Sequence, residues 1–347
     1  MLAGATLVRR NNIRLTVAFA ECYQFKNSYI VFLYLVVEQS AIFYCYLKGS
    51  VFMKKTVFEG IATALITPIT EQGVDYEAFG KLIDWQINEG VNALVVAGTT
   101  GEASTFGDDE HREVIDFAVK YVNGRVPVIA GTGSNDTNYA LDLTRCACES
   151  GADAVLVVTP YYNKATQKGL VKMFTAIADA STVPVILYDV PSRTGVAIAP
   201  ETVAVLAEHP NIVALKAASG DISKIAKTAQ LCGDKIDIYS GNDDQIIPVM
   251  SIGGKGCISV LSNLLPRETV KMSETFFSGD VKAAAKMQLD FIPLVDALFS
   301  EVNPIPVKAA MAKMGFCEDY LRLPLTPMED NTRAVLYEEM RKMGINI

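Results

Sequence analysis

One lysine stands inside a run that otherwise reads as a buried strand, Ile212-Val213-Ala214-Leu215-Lys216-Ala217-Ala218-Ser219. At the two-residue period of a strand, Ile212, Ala214, Lys216 and Ala218 share one face. The small alanines leave room for the lysine stem and for a molecule at its tip. Burial penalises an ammonium relative to the free amine, and a free amine is a nucleophile for carbonyl carbon. The competing reading is a strand-end lysine that carries its charge out to water, the commoner fate of such a residue.

Other reactive side chains fall where apolar runs give way to turns. These are Gly98-Thr99-Thr100-Gly101-Glu102, Gly131-Thr132-Gly133, Thr159-Pro160-Tyr161-Tyr162-Asn163 and Tyr188-Asp189-Val190-Pro191-Ser192-Arg193-Thr194-Gly195, then Ser240-Gly241-Asn242-Asp243 and Ile258-Ser259. Glycines let backbone N–H groups approach an anion, and threonine hydroxyls add donors, which suits a small carboxylate. Tyr188 and Lys216 end successive apolar runs, so a phenol that gives and takes a proton can stand beside the amine. Taken alone, Tyr188 is better explained as an amphipathic core residue. Arg193 either clamps a second carboxylate bidentately or is a solvated loop arginine, and Thr99-Thr100 alone would pass for a turn. Gly253-Gly254-Lys255-Gly256 precedes an apolar run instead of coming after one, so it reads as a helix end and turn, not a phosphate loop.

Eight strand patterns position these residues: Gly60–Thr67, Ala93–Gly98, Val126–Gly131, Ala154–Thr159, Val183–Asp189, Ile212–Ala217, Asp237–Ser240 and Gly256–Val260. Helix signals lie between them, with Asp75 opening a run to Glu89, Asp108 opening another, and Asn135-Asp136-Thr137 heading Asn138–Ser150. Pro200-Glu201 and Asp221 mark later starts. Strands that are apolar on both faces and alternate with helices form a parallel sheet. Eight such units fit a closed (β/α)8 TIM barrel, whose chemistry lies where strands run into their C-terminal loops. No Gly-x-Gly-x-x-Gly comes after the first strand, which speaks against a dinucleotide-binding sheet. Beyond about residue 279 only helical patterns remain, Asp280–Ser300, Pro304–Met314 and Met328–Met343. The expected organisation is a barrel over 53–279 and a small C-terminal helical appendage over 280–347.

Composition narrows the function. Across 347 residues, half are apolar and a fifth charged, which supplies a large core. The formal charge of −8 disfavours nucleic acid as a partner. Seven cysteines lack metal-ligand spacing and suit reduced thiols in a cytoplasmic protein, and two histidines, His111 and His209, exclude a histidine-rich metal site. Residues 1–52 differ from the rest of the chain, with five basic and two acidic residues and many aromatics. Neither Ile30–Val37 nor Ala41–Leu47 reaches the ~18 residues of a membrane-spanning helix, and the apolar run comes late for a signal peptide. Met53-Lys54-Lys55 resembles an ordinary start. Residues 1–52 are therefore expected to be an extension outside the fold, disordered or a mis-assigned start, with a membrane-associating hairpin as the alternative.

Together, Gly98-Thr99-Thr100-Gly101-Glu102, Tyr188-x-Val190-Pro191 and Lys216 resemble the dihydrodipicolinate synthase / N-acetylneuraminate lyase family of Schiff-base aldolases. Asn303-Pro304-Ile305-Pro306-Val307-Lys308 and Leu321-Arg322-Leu323-Pro324 add matches, and the resemblance runs from about Phe58 to the C-terminus. Arg193 places the chain nearest the synthase branch. The resemblance implies an imine between Lys216 and pyruvate, whose carboxylate lies on Thr99 and Thr100, with no cofactor and no metal. The derived enamine would attack L-aspartate 4-semialdehyde, bound through Arg193, and the adduct would cyclise to 4-hydroxy-tetrahydrodipicolinate, on the route to diaminopimelate and lysine. Tyr188, Thr99 and Tyr162 would relay protons, with Tyr162 supplied by a neighbouring subunit, while Gly241 and Ile258 line the pyruvate pocket. A homotetramer built from tight dimers is implied. A sibling aldolase that acts on a sugar acid is the alternative. Ala103, Ser104, His111, Asn135 and Tyr161 match the site where lysine inhibits some relatives. Asp108 and Tyr139 replace a histidine and a glutamate there, so lysine inhibition is expected to be weak or absent.

Overall fold

In a computed structural model of the chain, the described residues are 54–347 and four strands of the preceding segment. That segment, Met1–Met53, is a unit of its own. Its strands Leu7–Arg10, Ile13–Phe25, Ser28–Val37 and Ser40–Tyr46 pair in chain order as an antiparallel sheet. The sequence pattern assigns residues 1–52 no strands, and the rest of the segment lies outside the described residues.

The second unit, Lys54–Ile347, is built on a closed barrel of eight parallel strands. They are β1 (Gly60–Ala64), β2 (Ala93–Val96), β3 (Val128–Gly131), β4 (Ala154–Val158), β5 (Val185–Asp189), β6 (Ile212–Ala217), β7 (Asp237–Ser240) and β8 (Gly256–Ser259). β8 closes on β1 through Ile258↔Ala62 and its neighbours. The (β/α)8 architecture expected from the pattern is the one observed.

Strand limits differ from expectation for local reasons. β2 stops at Val96 because Ala97 is left-handed, with φ 51°. β3 and β5 begin one residue after Pro127 and Pro184, which have no N–H to give the ladder. β1 ends at Ala64, after which Ile66 N–H donates to Asn263 Oδ1 at 3.2 Å.

Helices alternate with the strands: α1 (Tyr76–Asn88), α2 (Asp108–Val122), α3 (Thr137–Ser150), α4 (Gln167–Ala180), α5 (Pro200–Leu206), α6 (Ile222–Cys232), α7 (Ile246–Ser251) and α8 (Pro266–Phe277). Asp75, Asp136 and Asp221 cap α1, α3 and α6 by accepting a first-turn N–H, as their positions imply. A small hairpin, Ile69–Thr70 with Gly73–Val74, has no counterpart among the expected elements. Gly253 and Gly254 donate their N–H groups to Met250 O and Val249 O behind α7, so this glycine run is the helix end and turn that its position indicates.

Two apolar layers hold the barrel. The larger lies between strands and helices; the smaller fills the interior with residues such as Ala62, Val95, Ile129, Ile186, Ala214 and Ile258. Helices α9 (Val281–Leu298), α10 (Ile305–Lys313) and α11 (Asp330–Lys342) complete the unit. α10 is buried from Ile305 to Met311, Lys308 included.

Candidate active site

β6 places Lys216 in the barrel mouth with 6% of its surface exposed, on the face that Ala214 and Ala218 keep narrow. Its register neighbours are Tyr188 on β5 and Tyr239 on β7. Lys216 Nζ lies 4.4 Å from the centre of the Tyr188 ring, so the phenol and the amine share one space. Tyr239 turns away, stacking on Phe58 at 4.2 Å and donating its hydroxyl to Phe58 O at 2.7 Å. Phe58 precedes β1, so this pair fills the end of the barrel where strands begin. Gly241 passes close beside the lysine stem. A β-carbon there would stand 2.7 Å from Ala218 Cβ and 3.2 Å from Lys216 Cε, which excludes larger residues.

A cavity of about 420 Å³ opens above Lys216. Gly98, Thr99 and Thr100 line it from the loop after β2, Tyr188 from β5, Arg193 and Thr194 from the one-turn helix Pro191–Thr194 that stands where the sequence suggests a loop, and Ala103, Ser104, His111, Tyr139 and Tyr161 complete the lining. The structure thus brings together Lys216, Tyr188, Thr99, Thr100 and Arg193, which span more than a hundred residues of sequence. Gly241 lies against the lysine stem and Ile258 is fully buried in the barrel interior; neither belongs to the cavity wall. Asn135 is outside it too, accepting at its backbone oxygen from Asn163 Nδ2 at 2.9 Å. Tyr162 is absent from this chain's cavity: it is 92% exposed, with a left-handed backbone at φ 71°.

The two anion-binding candidates converge on one residue. Thr100 Oγ1 accepts from Asn303 Nδ2 at 3.1 Å, and Arg193 Nη2 donates to Asn303 O at 2.9 Å. His111 donates from Nε2 to Gly131 O at 2.9 Å, and burial lowers its pKa. Asp243, fully buried, accepts the N–H groups of Val260 and Leu261 at 3.0 Å each, tying the loop after β7 to that after β8. Burial pushes its carboxyl above the usual range, opposed by the Ser259 hydroxyl and those N–H groups.

Sequence reasoning misses what stands behind the threonine loop. Glu102, left-handed at φ 58°, meets Lys308 Nζ at 2.6 Å, and Lys308 also donates to Thr67 O at 2.7 Å. Arg322 joins from the C-terminal segment, with Nη2 donating to Glu110 Oε1 at 2.7 Å and Nη1 to Thr105 O at 3.2 Å. In the sequence Lys308 and Arg322 stand out only as residues that match the family, and nothing local marks either as buried or paired. Among the described residues, no three His, Cys, Asp or Glu side chains group so as to hold a metal ion, and no helix is long and apolar enough to cross a membrane.

Comparison with known proteins identifies the family. Residues 57–342 match the model of the dihydrodipicolinate synthetase family. A 4-hydroxy-tetrahydrodipicolinate synthase of Clostridium perfringens is 52% identical over 289 residues, covering 83% of this chain and 99% of that protein. Its counterpart in Lachnoclostridium phytofermentans is 54% identical over 291 residues, with the same coverage. The crystal structure of dihydrodipicolinate synthase from Aquifex aeolicus superposes with a TM-score of 0.82 at 43% identity, covering 83% of this chain and 99% of that one. The lysine in the barrel mouth thus sits in a chain that belongs to the dihydrodipicolinate synthetase family.

Proposed function

We propose that the chain is a 4-hydroxy-tetrahydrodipicolinate synthase that condenses pyruvate with L-aspartate 4-semialdehyde through an imine on Lys216, in the diaminopimelate route to lysine. The observation that carries the chemistry is the buried Lys216 amine, 4.4 Å from the Tyr188 ring in a cavity edged by hydroxyls and an arginine. The relatives' names favour this substrate pair over a sugar acid.

Lys216 Nζ adds to the ketone carbon of pyruvate, and loss of water leaves a protonated imine. The cationic nitrogen is an electron sink, so a methyl proton departs and an enamine forms. The enamine carbon bonds to the aldehyde carbon of the second substrate. The substrate's own amine then closes onto the imine carbon and releases Lys216. Thr99 and Thr100 hold the pyruvate carboxylate, Arg193 that of the semialdehyde, and Tyr188 moves protons between these groups. As written, the route calls on neither metal nor cofactor.

A second copy of the chain supplies Tyr162. Its 92% exposure and strained backbone support this reading, because a bulky residue seldom adopts φ 71° without tertiary support. The active unit is then a tight dimer, and two dimers form a tetramer. We place the enzyme in the cytoplasm, where the free thiols of Cys146, Cys148, Cys232, Cys257 and Cys317 are at home. By this reading residues 53–279 are the catalytic barrel, 280–347 its helical appendage, and 1–52 an extension outside the catalytic fold.

The decisive experiment treats the protein with pyruvate and borohydride and maps the mass shift. An adduct on Lys216, together with turnover of aspartate semialdehyde, is expected. An unlabelled Lys216, or a Lys216→Ala variant at full activity, would overturn the assignment.

A further inference from the structure

We infer that Asn303 is a positioning residue that sets the polarity of the Thr100 hydroxyl, an inference that rests on the carboxylate role proposed for Thr100. A hydroxyl carries one proton and two lone pairs. Asn303 Nδ2 donates to Thr100 Oγ1 at 3.1 Å and so occupies one lone pair. An amide N–H cannot take the hydroxyl's proton in return. Thr100 is 4% exposed and faces the cavity, so its proton is left to point into the space beside Lys216. An anion placed there meets a donor and never a competing acceptor, and a hydrogen bond to a charged acceptor is the stronger kind.

Two further observations set Asn303 apart from a packing residue. It is 6% exposed, yet its Oδ1 finds no hydrogen-bond partner among the described residues. An apolar residue of the same size would fill the space without burying an unpaired oxygen. Its backbone oxygen also accepts from Arg193 Nη2 at 2.9 Å, so one residue at the head of α10 touches the groups assigned to both substrates. Only the Thr100 contact depends on the side chain, which separates the two substrates experimentally.

The test compares wild type, Asn303→Ala and Asn303→Asp by borohydride trapping of the Lys216 adduct over a range of pyruvate concentrations, alongside steady-state kinetics. In Asn303→Ala, half-saturating pyruvate rises about fivefold or more, whereas kcat and the KM for the semialdehyde stay within about threefold. Asn303→Asp, whose carboxylate draws the Thr100 proton toward itself, raises half-saturating pyruvate further. In a Thr100→Val background, Asn303→Ala adds nothing. Pyruvate half-saturation within about twofold of wild type in both single variants would overturn the inference, as would the full Asn303→Ala effect persisting without the Thr100 hydroxyl. If Asn303→Asp does not fold, Asn303→Ser takes its place and is expected to act as Asn303→Ala does. Failure of the wild type to form any adduct would remove the functional reading itself, an outcome distinct from these.

Discussion

Lys308 on α10 and Glu102 in the loop after β2 form an ion pair at 2.6 Å with both side chains fully buried, 206 residues apart in sequence. Glu102 lies just beyond Thr99 and Thr100, so the pair joins the C-terminal helices to the loop that edges the cavity. Removing one partner leaves the other charged group buried and uncompensated, which costs far more than the pair itself contributes. Lys308→Met is therefore expected to lower unfolding stability by about 3–5 kcal/mol in urea denaturation. The double variant Lys308→Met/Glu102→Leu should recover much of that loss. A double variant no more stable than the single one would show that the penalty lies elsewhere.

Arg193 is expected to bind the semialdehyde carboxylate and not pyruvate. Arg193→Ala should raise the KM for the semialdehyde about 10–150-fold, the range of a charge-assisted hydrogen bond lost. Half-saturating pyruvate in borohydride trapping should change little. Equal effects on both substrates would contradict the division of labour.

Tyr188 differs from Phe only by its hydroxyl, and its ring would still cover Lys216. Tyr188→Phe should reduce kcat about 10²–10⁴-fold, the usual worth of a positioned acid–base group. The Lys216 adduct should still form, only more slowly. Wild-type turnover would leave the phenol without a catalytic role.

Lysine inhibition should be weak. Ala103, Ser104, His111 and Tyr161 line the cavity, but Tyr139 joins them where the resemblance calls for a glutamate. Burial and the neighbouring Asp108 carboxylate raise the Tyr139 pKa, so it stays neutral and offers no anion to an ammonium. Millimolar lysine is expected to leave the initial rate nearly unchanged, and strong inhibition below that concentration would sink this prediction.

His111 makes stability depend on pH. Burial holds its folded-state pKa below the ordinary 6.5, so the unfolded chain binds the proton first as pH falls. Its contribution is complete above about pH 6.5 and declines below it toward the folded-state value, by at most about 1.4 kcal/mol per pH unit. His111→Gln should flatten that slope in urea midpoints measured at about pH 7.5 and 5.5. An unchanged slope would assign the acid sensitivity to other groups.

Much of this protein is legible in the chain alone because it is written in local periods. Short runs apolar on both faces, alternating with capped helices, specify a parallel barrel, and β6 and β7 coincide with the expected Ile212–Ala217 and Asp237–Ser240. Once the barrel is recognised, Lys216, Tyr188, Thr99, Thr100 and Arg193 must share a rim, since strand ends converge there. What sequence alone could not supply is pairing across distance. In the sequence Lys308 and Asn303 stand out only as part of a run that resembles the family, and nothing local names their partners. Only closure of the barrel, with α10 packed against it, buries Lys308 beside Glu102 and brings Asn303 to Thr100 and Arg193. Burial and hydrogen-bond partnership depend on what the fold stacks above a residue, and no neighbour in the chain encodes that.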